Sequence, residues 1–139
     1  MARCLLDVAD LTEGDVIVQN NAESSVGQAI MQEAATRGLV VVNIARELPA
    51  FEELSAHYQS LNPTAITMTE RTACGADFRS VFKGMPAPKL ALDGCGGRLS
   101  AEIAKVLTPG GKMVSYRSTS RKPVCLTADA LPSRNISPP

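Results

Sequence analysis

The 139 residues carry fourteen basic and fourteen acidic side chains, so the formal net charge is zero, which argues against a broad basic surface for nucleic acid. Aromatic residues make up only 4% of the chain and tryptophan is absent, so few side chains are available to stack on bases. No apolar run approaches the ~20 residues of a membrane span, and a length of 139 residues fits a single globular domain without membrane insertion.

Apolar runs alternate along the chain with segments of helical periodicity. In chain order we expect a helix over 2–10, a strand over 16–19, a helix from Ser24 or Ser25 to about Thr36, a strand over 39–45, a helix from Pro49 to about Ser60, a strand over 65–68, a short helix around 77–83, a strand over 89–93, a helix over 99–107 and a strand over 112–116. This alternation predicts an α/β fold with three layers, α/β/α, around a parallel sheet. Right-handed crossovers favour the doubly wound strand order 3-2-1-4-5.

We divide the chain into one α/β domain over residues 1–125 and a tail over residues 126–139. The tail is rich in proline and serine, and we expect it to be disordered.

The cysteines and the single histidine do not form a recognisable metal or catalytic pattern. No two cysteines lie within four residues of each other, so paired zinc-ligand spacing is absent and we interpret them as free thiols. His57 lies in a predicted surface helix without a nearby cysteine or serine partner, and we interpret it as a solvated residue. The sequence therefore predicts no metal site.

The segment VIVQNNAESSVGQAI, residues 16–30, joins the first strand to the following helix. Ala22, Ser24 and Gly27 occupy the positions of the three glycines in a dinucleotide-binding turn. The helix would present free N–H groups and a partial positive charge, and the serine hydroxyls could donate further hydrogen bonds. Glu23 would repel a diphosphate. The pattern leaves two interpretations open, a nucleotide-binding turn and a plain strand-to-helix corner.

Arg46 follows the apolar run LVVVNIA, 19 residues after Gly27. An arginine at the end of the second strand suits a ribose 2′-phosphate, because its planar guanidinium matches phosphate geometry. Glu47 weakens this interpretation, and an exposed loop arginine is the alternative. The turns LDGCGG and LTPGGKMV also resemble motifs of S-adenosylmethionine methyltransferases, but only eleven residues separate Gly97 from Pro109, which argues against that class.

Four segments together resemble the mitochondrial trans-2-enoyl-thioester reductases, which are medium-chain dehydrogenases/reductases of fatty acid synthesis. These segments are VIVQNNAESSVGQAIMQEAA, VNIARELP, PKLALDGCGG and GGKMVSYRSTSRKPV, and the resemblance runs from about Ala2 to Val124. It implies a Rossmann-type fold, NADPH as the cofactor and a mitochondrial location.

The resemblance also implies which residues bind NADPH. The implied residues are Glu23, Ser24, Ser25 and Val26 with Gly27 at the diphosphate, Arg46, Glu47 and Leu48 at the 2′-phosphate, and Tyr116, Arg117, Ser118 and Thr119 near the nicotinamide. Leu48 stands where the family has a second arginine, and Arg117 and Ser118 stand where it has glycines. Asp93 stands where the family has an asparagine. Loss of one charged hydrogen bond to phosphate weakens binding by ~1.5–3 kcal/mol, so we expect a reduced affinity for NADPH.

Family members also carry an N-terminal catalytic domain whose tyrosine supports proton transfer, and the 139 residues do not match it. The resemblance therefore implies no catalytic residue in this chain, which we expect to be inactive alone. It also implies that the sixth strand is missing, so that the fifth would be an exposed edge covered by a protein partner or a second copy. The alternatives are a structural or interaction subunit with a decayed nucleotide site, and a reductase completed by another chain.

Overall fold

A computed structural model describes residues 2–45, 51–75 and 78–116, together with the backbone of 135–137. The strands are β1 Val16–Gln19, β2 Val40–Ala45, β3 Ile66–Thr69, β4 Leu90–Asp93, β5 Lys112–Ser115 and β6 Asn135–Ser137. The helices are α1 Ala2–Leu6, α2 Ser25–Thr36, α3 Phe51–Leu61, α4 Glu70–Ala73 and α5 Arg98–Lys105, and a 3₁₀ helix covers Phe78–Phe82.

All strand pairs in the sheet are parallel, in the order β3-β2-β1-β4-β5-β6. The first three strands therefore confirm the order 3-2-1, and β4 and β5 continue on the other side of β1 as expected. From β1 the chain adds β2 and β3 on one side of the sheet, and then returns to add β4 and β5 on the other side of β1. The order of the strands therefore reverses between β1 and β4. Ligands of open α/β sheets bind outside the carboxyl ends of the strands at such a point.

The sixth strand corrects one expectation from the sequence. Asn135–Ser137 pairs with β5 in parallel, from Lys112 opposite Asn135 to Val114 opposite Ser137. The prediction of a missing sixth strand, with β5 as an exposed edge, is therefore wrong. The pairing needs only backbone N–H and C=O groups of an open edge, so a short segment without apolar periodicity can supply it.

The other differences concern element boundaries. Helix α1 ends at Leu6 rather than near residue 10, and the short helix α4 was not predicted. Thr69 begins α4 by accepting a hydrogen bond from the amide of Thr72 at 3.3 Å. The predicted helix start at Pro49 lies outside the described residues. The boundary at residue 125 stays a prediction.

Apolar side chains cover both faces of the sheet, as a parallel sheet between helices requires. The residues buried on one face include Val16, Val18, Val42, Ile44 and Met113, packed with Leu99 and Ile103 of α5. The residues buried on the other face include Ile17, Val41, Leu90 and Leu92, packed with Ile30 and Met31 of α2. This double packing fixes the carboxyl ends of β1, β4 and β5 relative to one another.

Candidate functional site

The turn between β1 and α2 is built by hydrogen bonds of Ser24 and by a left-handed residue. Ser24 has extended backbone angles, and its Oγ accepts a hydrogen bond from the amide of Gly27 at 3.0 Å. The same hydroxyl donates to the carbonyl of Asn21 at 2.9 Å. Asn21 adopts a φ of 57°, a conformation that asparagine tolerates better than most residues. The chain therefore makes a tight bend at a position where other proteins use glycine.

Gly27 lies where the first turn of α2 meets the β1–α2 turn. A Cβ atom at this position would lie 2.7 Å from the carbonyl oxygen of Ala22 and 2.8 Å from that of Asn21. These contacts are with backbone, which cannot move aside as a flexible side chain can. The position therefore requires glycine, which is the role of the third glycine in a dinucleotide-binding turn.

The amino end of α2 points two free amides out of this turn. The amide of Ser24 donates to the carbonyl of Asn21 and that of Gly27 donates to Ser24, whereas those of Ser25 and Val26 make no hydrogen bond to the residues that the structure describes. Such amides and the helix dipole attract an anion. Because the Ser24 hydroxyl is engaged within the turn, Ser25 is the exposed serine that can donate.

Two further polar groups lie buried beside this turn. The Nδ2 atom of Asn21 has no hydrogen-bond partner among the described residues, although Asn21 is only 5% exposed. The hydroxyl of Tyr58 on α3 likewise has no partner in this part of the chain, and Tyr58 is fully buried. Burial, with a smaller contribution from the nearby charge of Glu23, raises the pKa of Tyr58 to about 12.

The Tyr58→Phe variant tests the unpartnered hydroxyl. We expect the free energy of unfolding at pH 7 to stay within about 1 kcal/mol of the wild type, because the change removes no hydrogen bond. Between pH 10 and 12 the unfolded wild type ionises Tyr58 while the folded state keeps its proton, so this residue makes stability fall as the pH rises, by up to about 2–3 kcal/mol. Denaturant unfolding should show a shallower alkaline loss for the variant. Identical alkaline slopes would contradict the assignment.

A buried network joins the carboxyl ends of β1, β4 and β5. Oδ1 of Asp93 accepts hydrogen bonds from Asn20 Nδ2 at 2.7 Å, from the amide of Gly96 at 2.9 Å and from the amide of Cys95 at 3.1 Å. Its Oδ2 accepts from Ser115 Oγ at 2.8 Å. Asp93 is fully buried. One carboxylate therefore holds the ends of three adjacent strands and the turn after β4.

Tyr116 borders the crevice from the side of β5. Its amide donates to the carbonyl of Asp93 at 3.0 Å, and a Cβ atom at Gly94 would lie 2.7 Å from its hydroxyl oxygen. The same Cβ atom would lie 3.0 Å from Cβ of Asn21. The tyrosine ring, Gly94 and Asn21 therefore meet beyond the carboxyl ends of β1 and β4, and a larger residue at position 94 would require the Tyr116 side chain to shift.

The structure brings together half of the residues that the sequence predicts for the site. Glu23, Ser24, Ser25, Val26 and Gly27 lie in one turn, and Tyr116 lies across the crevice. The remaining predicted residues, which lie outside the described residues, are Arg46, Glu47, Leu48, Arg117, Ser118 and Thr119. The roles of Asn20, Asn21 and Ser115 were not predicted from the sequence, and Asp93 was named only for its difference from the family. The paired asparagines directly after a buried strand were the available signal.

Other candidate centres add little. Within residues 2–45, 51–75 and 78–116, no group of three or more His, Cys, Asp or Glu side chains could hold a metal ion. His57 is exposed, and its Nε2 lies 3.2 Å from Oε1 of Gln28. Cys4, Cys74 and Cys95 form no disulfide bond with one another, and Cys125 lies outside the described residues. None of the helices in the described part of the chain is long and apolar enough to cross a membrane.

The curated relatives of the chain are mitochondrial enzymes. It is 37% identical over 129 residues to the human mitochondrial enoyl-[acyl-carrier-protein] reductase, and the match covers 93% of this chain and 34% of the human protein. The reductase of Dictyostelium discoideum is 35% identical over 132 residues, which cover 95% of this chain and 37% of that protein. The chain thus spans about a third of the length of these relatives. No family model matches it.

Solved structures give the same relationship. The Etr1p/Etr2p heterodimer of mitochondrial 2-enoyl thioester reductase from Candida tropicalis superposes with a TM-score of 0.89 at 26% identity, over 99% of this chain and 40% of that chain. A complex of Etr1p with NADP and crotonyl-CoA superposes with a TM-score of 0.91 over the same shares. An Escherichia coli quinone oxidoreductase at 15% identity, TM-score 0.78, shares the fold.

The structural comparison agrees with the parallel sheet in the order 3-2-1-4-5. The chain is thus similar in sequence and in fold to the mitochondrial enoyl-[acyl-carrier-protein] reductases, over about a third of their length.

Proposed function

We propose that this chain binds NADPH at the carboxyl edge of the sheet, across the crevice between β1 and β4. The observation that carries the proposal is the amino end of α2, where the amides of Ser25 and Val26 have no described partner and point from a turn that admits only glycine at position 27. This is the arrangement that receives a diphosphate. The relationship to Etr1p, which was solved with NADP, supports the choice of ligand.

Several residues of the chain suit the phosphate groups of NADPH, and one residue, Glu23, opposes the binding of its diphosphate. The amides of Ser25 and Val26 would hold the diphosphate, and Asn21, with its buried unpartnered Nδ2, would orient the turn. Arg46, which follows β2 in the sequence, would hold the 2′-phosphate. Glu23 lies at the same turn and its carboxylate would repel the diphosphate, so we expect a moderate affinity. NADPH supplies a hydride when bound.

We further propose that this binding unit serves reduction of 2-enoyl thioesters in mitochondria. The support is the reductase function named for its curated relatives and the crotonyl-CoA bound in the Etr1p complex. Because the chain matches a third of these proteins, the acyl-binding and proton-transfer parts would come from outside the matched region. A protein partner is a further part of the proposal, and the Etr1p/Etr2p heterodimer is a precedent.

A second candidate function is that of a structural or interaction subunit with a decayed nucleotide site. The charge of Glu23 at the turn favours it, since a carboxylate beside the amino end of α2 opposes an anionic ligand. The two functions differ in one measurable property, which is the affinity of the chain for NADPH.

Thermal unfolding with NADPH and NADH separates the two functions. Ligand at 100 times its dissociation constant stabilises the folded state by ~2.7 kcal/mol. Arg46→Ala should lower the affinity for NADPH by roughly tenfold or more, because a charged hydrogen bond to the 2′-phosphate is lost. The affinity for NADH, which lacks this phosphate, should change little. The control is Arg79→Ala, whose guanidinium contacts the carbonyl of Lys105 at the other end of α5.

Three results would count against the proposal in different ways. Equal losses of NADPH and NADH affinity in the Arg46 variant would remove the 2′-phosphate assignment. A weakened affinity in the Arg79 control would show that the effect is not local. Absence of any stabilisation of the wild type at millimolar NADPH would favour the structural subunit.

A further inference from the structure

Asp93 is a fully buried carboxylate whose hydrogen-bond partners are all neutral groups. Its two oxygens accept four hydrogen bonds, from Asn20, Ser115 and the amides of Cys95 and Gly96. No lysine, arginine or histidine among the described residues pairs with it. The other buried carboxylate in the described part of the chain, Asp15, contrasts with it, because Lys89 Nζ lies 3.0 Å from its Oδ2.

The donors around Asp93 match an ionised carboxylate. An ionised carboxylate accepts all four hydrogen bonds: Oδ1 from the amide groups of Asn20, Cys95 and Gly96, which can only donate, and Oδ2 from the hydroxyl of Ser115. Dipoles of neutral groups therefore hold a negative charge here. The described part of the chain places no cation beside it to cancel it, and in a medium of low dielectric constant this charge acts over several ångströms.

The position of this charge in the fold singles out one half of a dinucleotide. A doubly wound sheet has two mononucleotide-binding halves, which meet at the switch point. The amino end of α2 belongs to the half formed by β1, β2 and β3, where the proposed phosphate contacts lie. Asp93 and Ser115 end β4 and β5, in the other half, which receives the nicotinamide end.

We propose that Asp93 determines the preference of the site between the two oxidation states of the coenzyme. This inference rests on the proposed binding of NADPH. Transfer of a hydride from NADPH to an enoyl thioester removes two electrons and one proton, and leaves one positive charge on the nicotinamide ring of NADP⁺. A fixed negative charge below that half of the site binds NADP⁺ more tightly relative to NADPH. Asp93 thereby makes the bound reduced coenzyme a stronger hydride donor.

Calorimetric titration of the 139-residue chain with NADP⁺ and with NADPH tests the inference. Asp93→Asn keeps the size of the side chain and removes the charge. We expect it to lower the affinity for NADP⁺ relative to that for NADPH by roughly 3- to 30-fold, the range for one charge at several ångströms in a partly polar medium. Adenosine 2′,5′-bisphosphate, which lacks the nicotinamide half, should bind the variant and the wild type equally.

Two further variants separate charge from structure. Ser115→Ala removes one hydrogen bond to Asp93 and keeps the charge, so the ratio of the two affinities should stay at the wild-type value. The double variant D93N/S115D moves the carboxylate to the neighbouring strand end, 2.8 Å away in the same network, and should restore the ratio.

The outcomes distinguish this inference from the function on which it rests. If Asp93→Asn changes both affinities by the same factor, or Ser115→Ala shifts the ratio as strongly, the inference is wrong and NADPH binding still stands. If the wild type binds neither NADP⁺ nor NADPH, the proposed function fails and the inference fails with it. A changed ratio in Asp93→Asn that the double variant restores supports both.

Discussion

Gly27→Ala is expected to lower the free energy of unfolding by about 2–4 kcal/mol and to weaken NADPH binding by at least roughly tenfold. The new methyl group would lie 2.7 Å from the carbonyl oxygen of Ala22 and 2.8 Å from its Cα atom. Neither backbone atom can yield cheaply, so α2 must move away from the turn. That movement displaces the amides of Ser25 and Val26, which would hold the diphosphate. Urea unfolding and an NADPH titration measure the two effects.

Gly111→Ala is the matched control for this prediction. A Cβ atom there would lie 2.9 Å from the carbonyl oxygen of Thr108, a similar clash with backbone, and the residue precedes β5 at the amino edge of the sheet. This variant should lose stability and keep the NADPH affinity of its folded molecules. If Gly27→Ala kept wild-type affinity, or Gly111→Ala lost it equally, the amino end of α2 would not be the binding element.

Asp93→Ala is expected to cost about 3–5 kcal/mol of stability, the largest effect among the substitutions of polar residues considered. The change leaves Asn20 Nδ2, two backbone amides and the Ser115 hydroxyl without their acceptor in a fully buried position. It also leaves a cavity where three strand ends meet. The turn after β4 should loosen, and equilibrium unfolding in urea gives the loss directly.

Two milder variants calibrate the effect. Asp93→Asn keeps an acceptor oxygen for the amides, and Ser115→Ala removes a single hydrogen bond worth about 1 kcal/mol. We expect the free energy of unfolding to be highest for the wild type, lower for these two variants and lowest for Asp93→Ala. A stability of Asp93→Ala within about 1 kcal/mol of the wild type would show that the network does not hold the strand ends together.

The strand order could be predicted from the sequence because its physical causes are local. Continuous apolar runs such as LVVVNIA identify strands covered on both faces, and the intervening helical patterns require crossovers of one hand. The sixth strand could not be predicted in this way. Three residues that pair through backbone alone carry no hydrophobic period, and the surrounding Pro/Ser-rich composition indicated disorder instead.

The site was predictable to the extent that it depends on side-chain size. The spacing of Ala22, Ser24 and Gly27 indicated a turn of small residues, and the clash of a Cβ at Gly27 with backbone gives the physical reason for the last of them. The engagement of the Ser24 hydroxyl within the turn was not predictable, since it depends on where the Asn21 carbonyl points.

The network around Asp93 also could not be predicted from the sequence. Its partners Asn20 and Ser115 are 73 and 22 residues away along the chain, and only the parallel register brings their strand ends together. An isolated aspartate at the end of an apolar run is compatible with many roles. Its complete burial among neutral hydrogen-bond partners became evident only from the fold.

The most direct test of the account follows the backbone amides of the chain by NMR while NADPH is added. We predict saturable shifts that are largest at Ser25 and Val26, with smaller ones at Asn21 and Gly94 across the crevice, and none at Gly14 or Gly110 on the amino edge. Unchanged Ser25 and Val26 amides at millimolar NADPH, or shifts of equal size at both edges of the sheet, would contradict it.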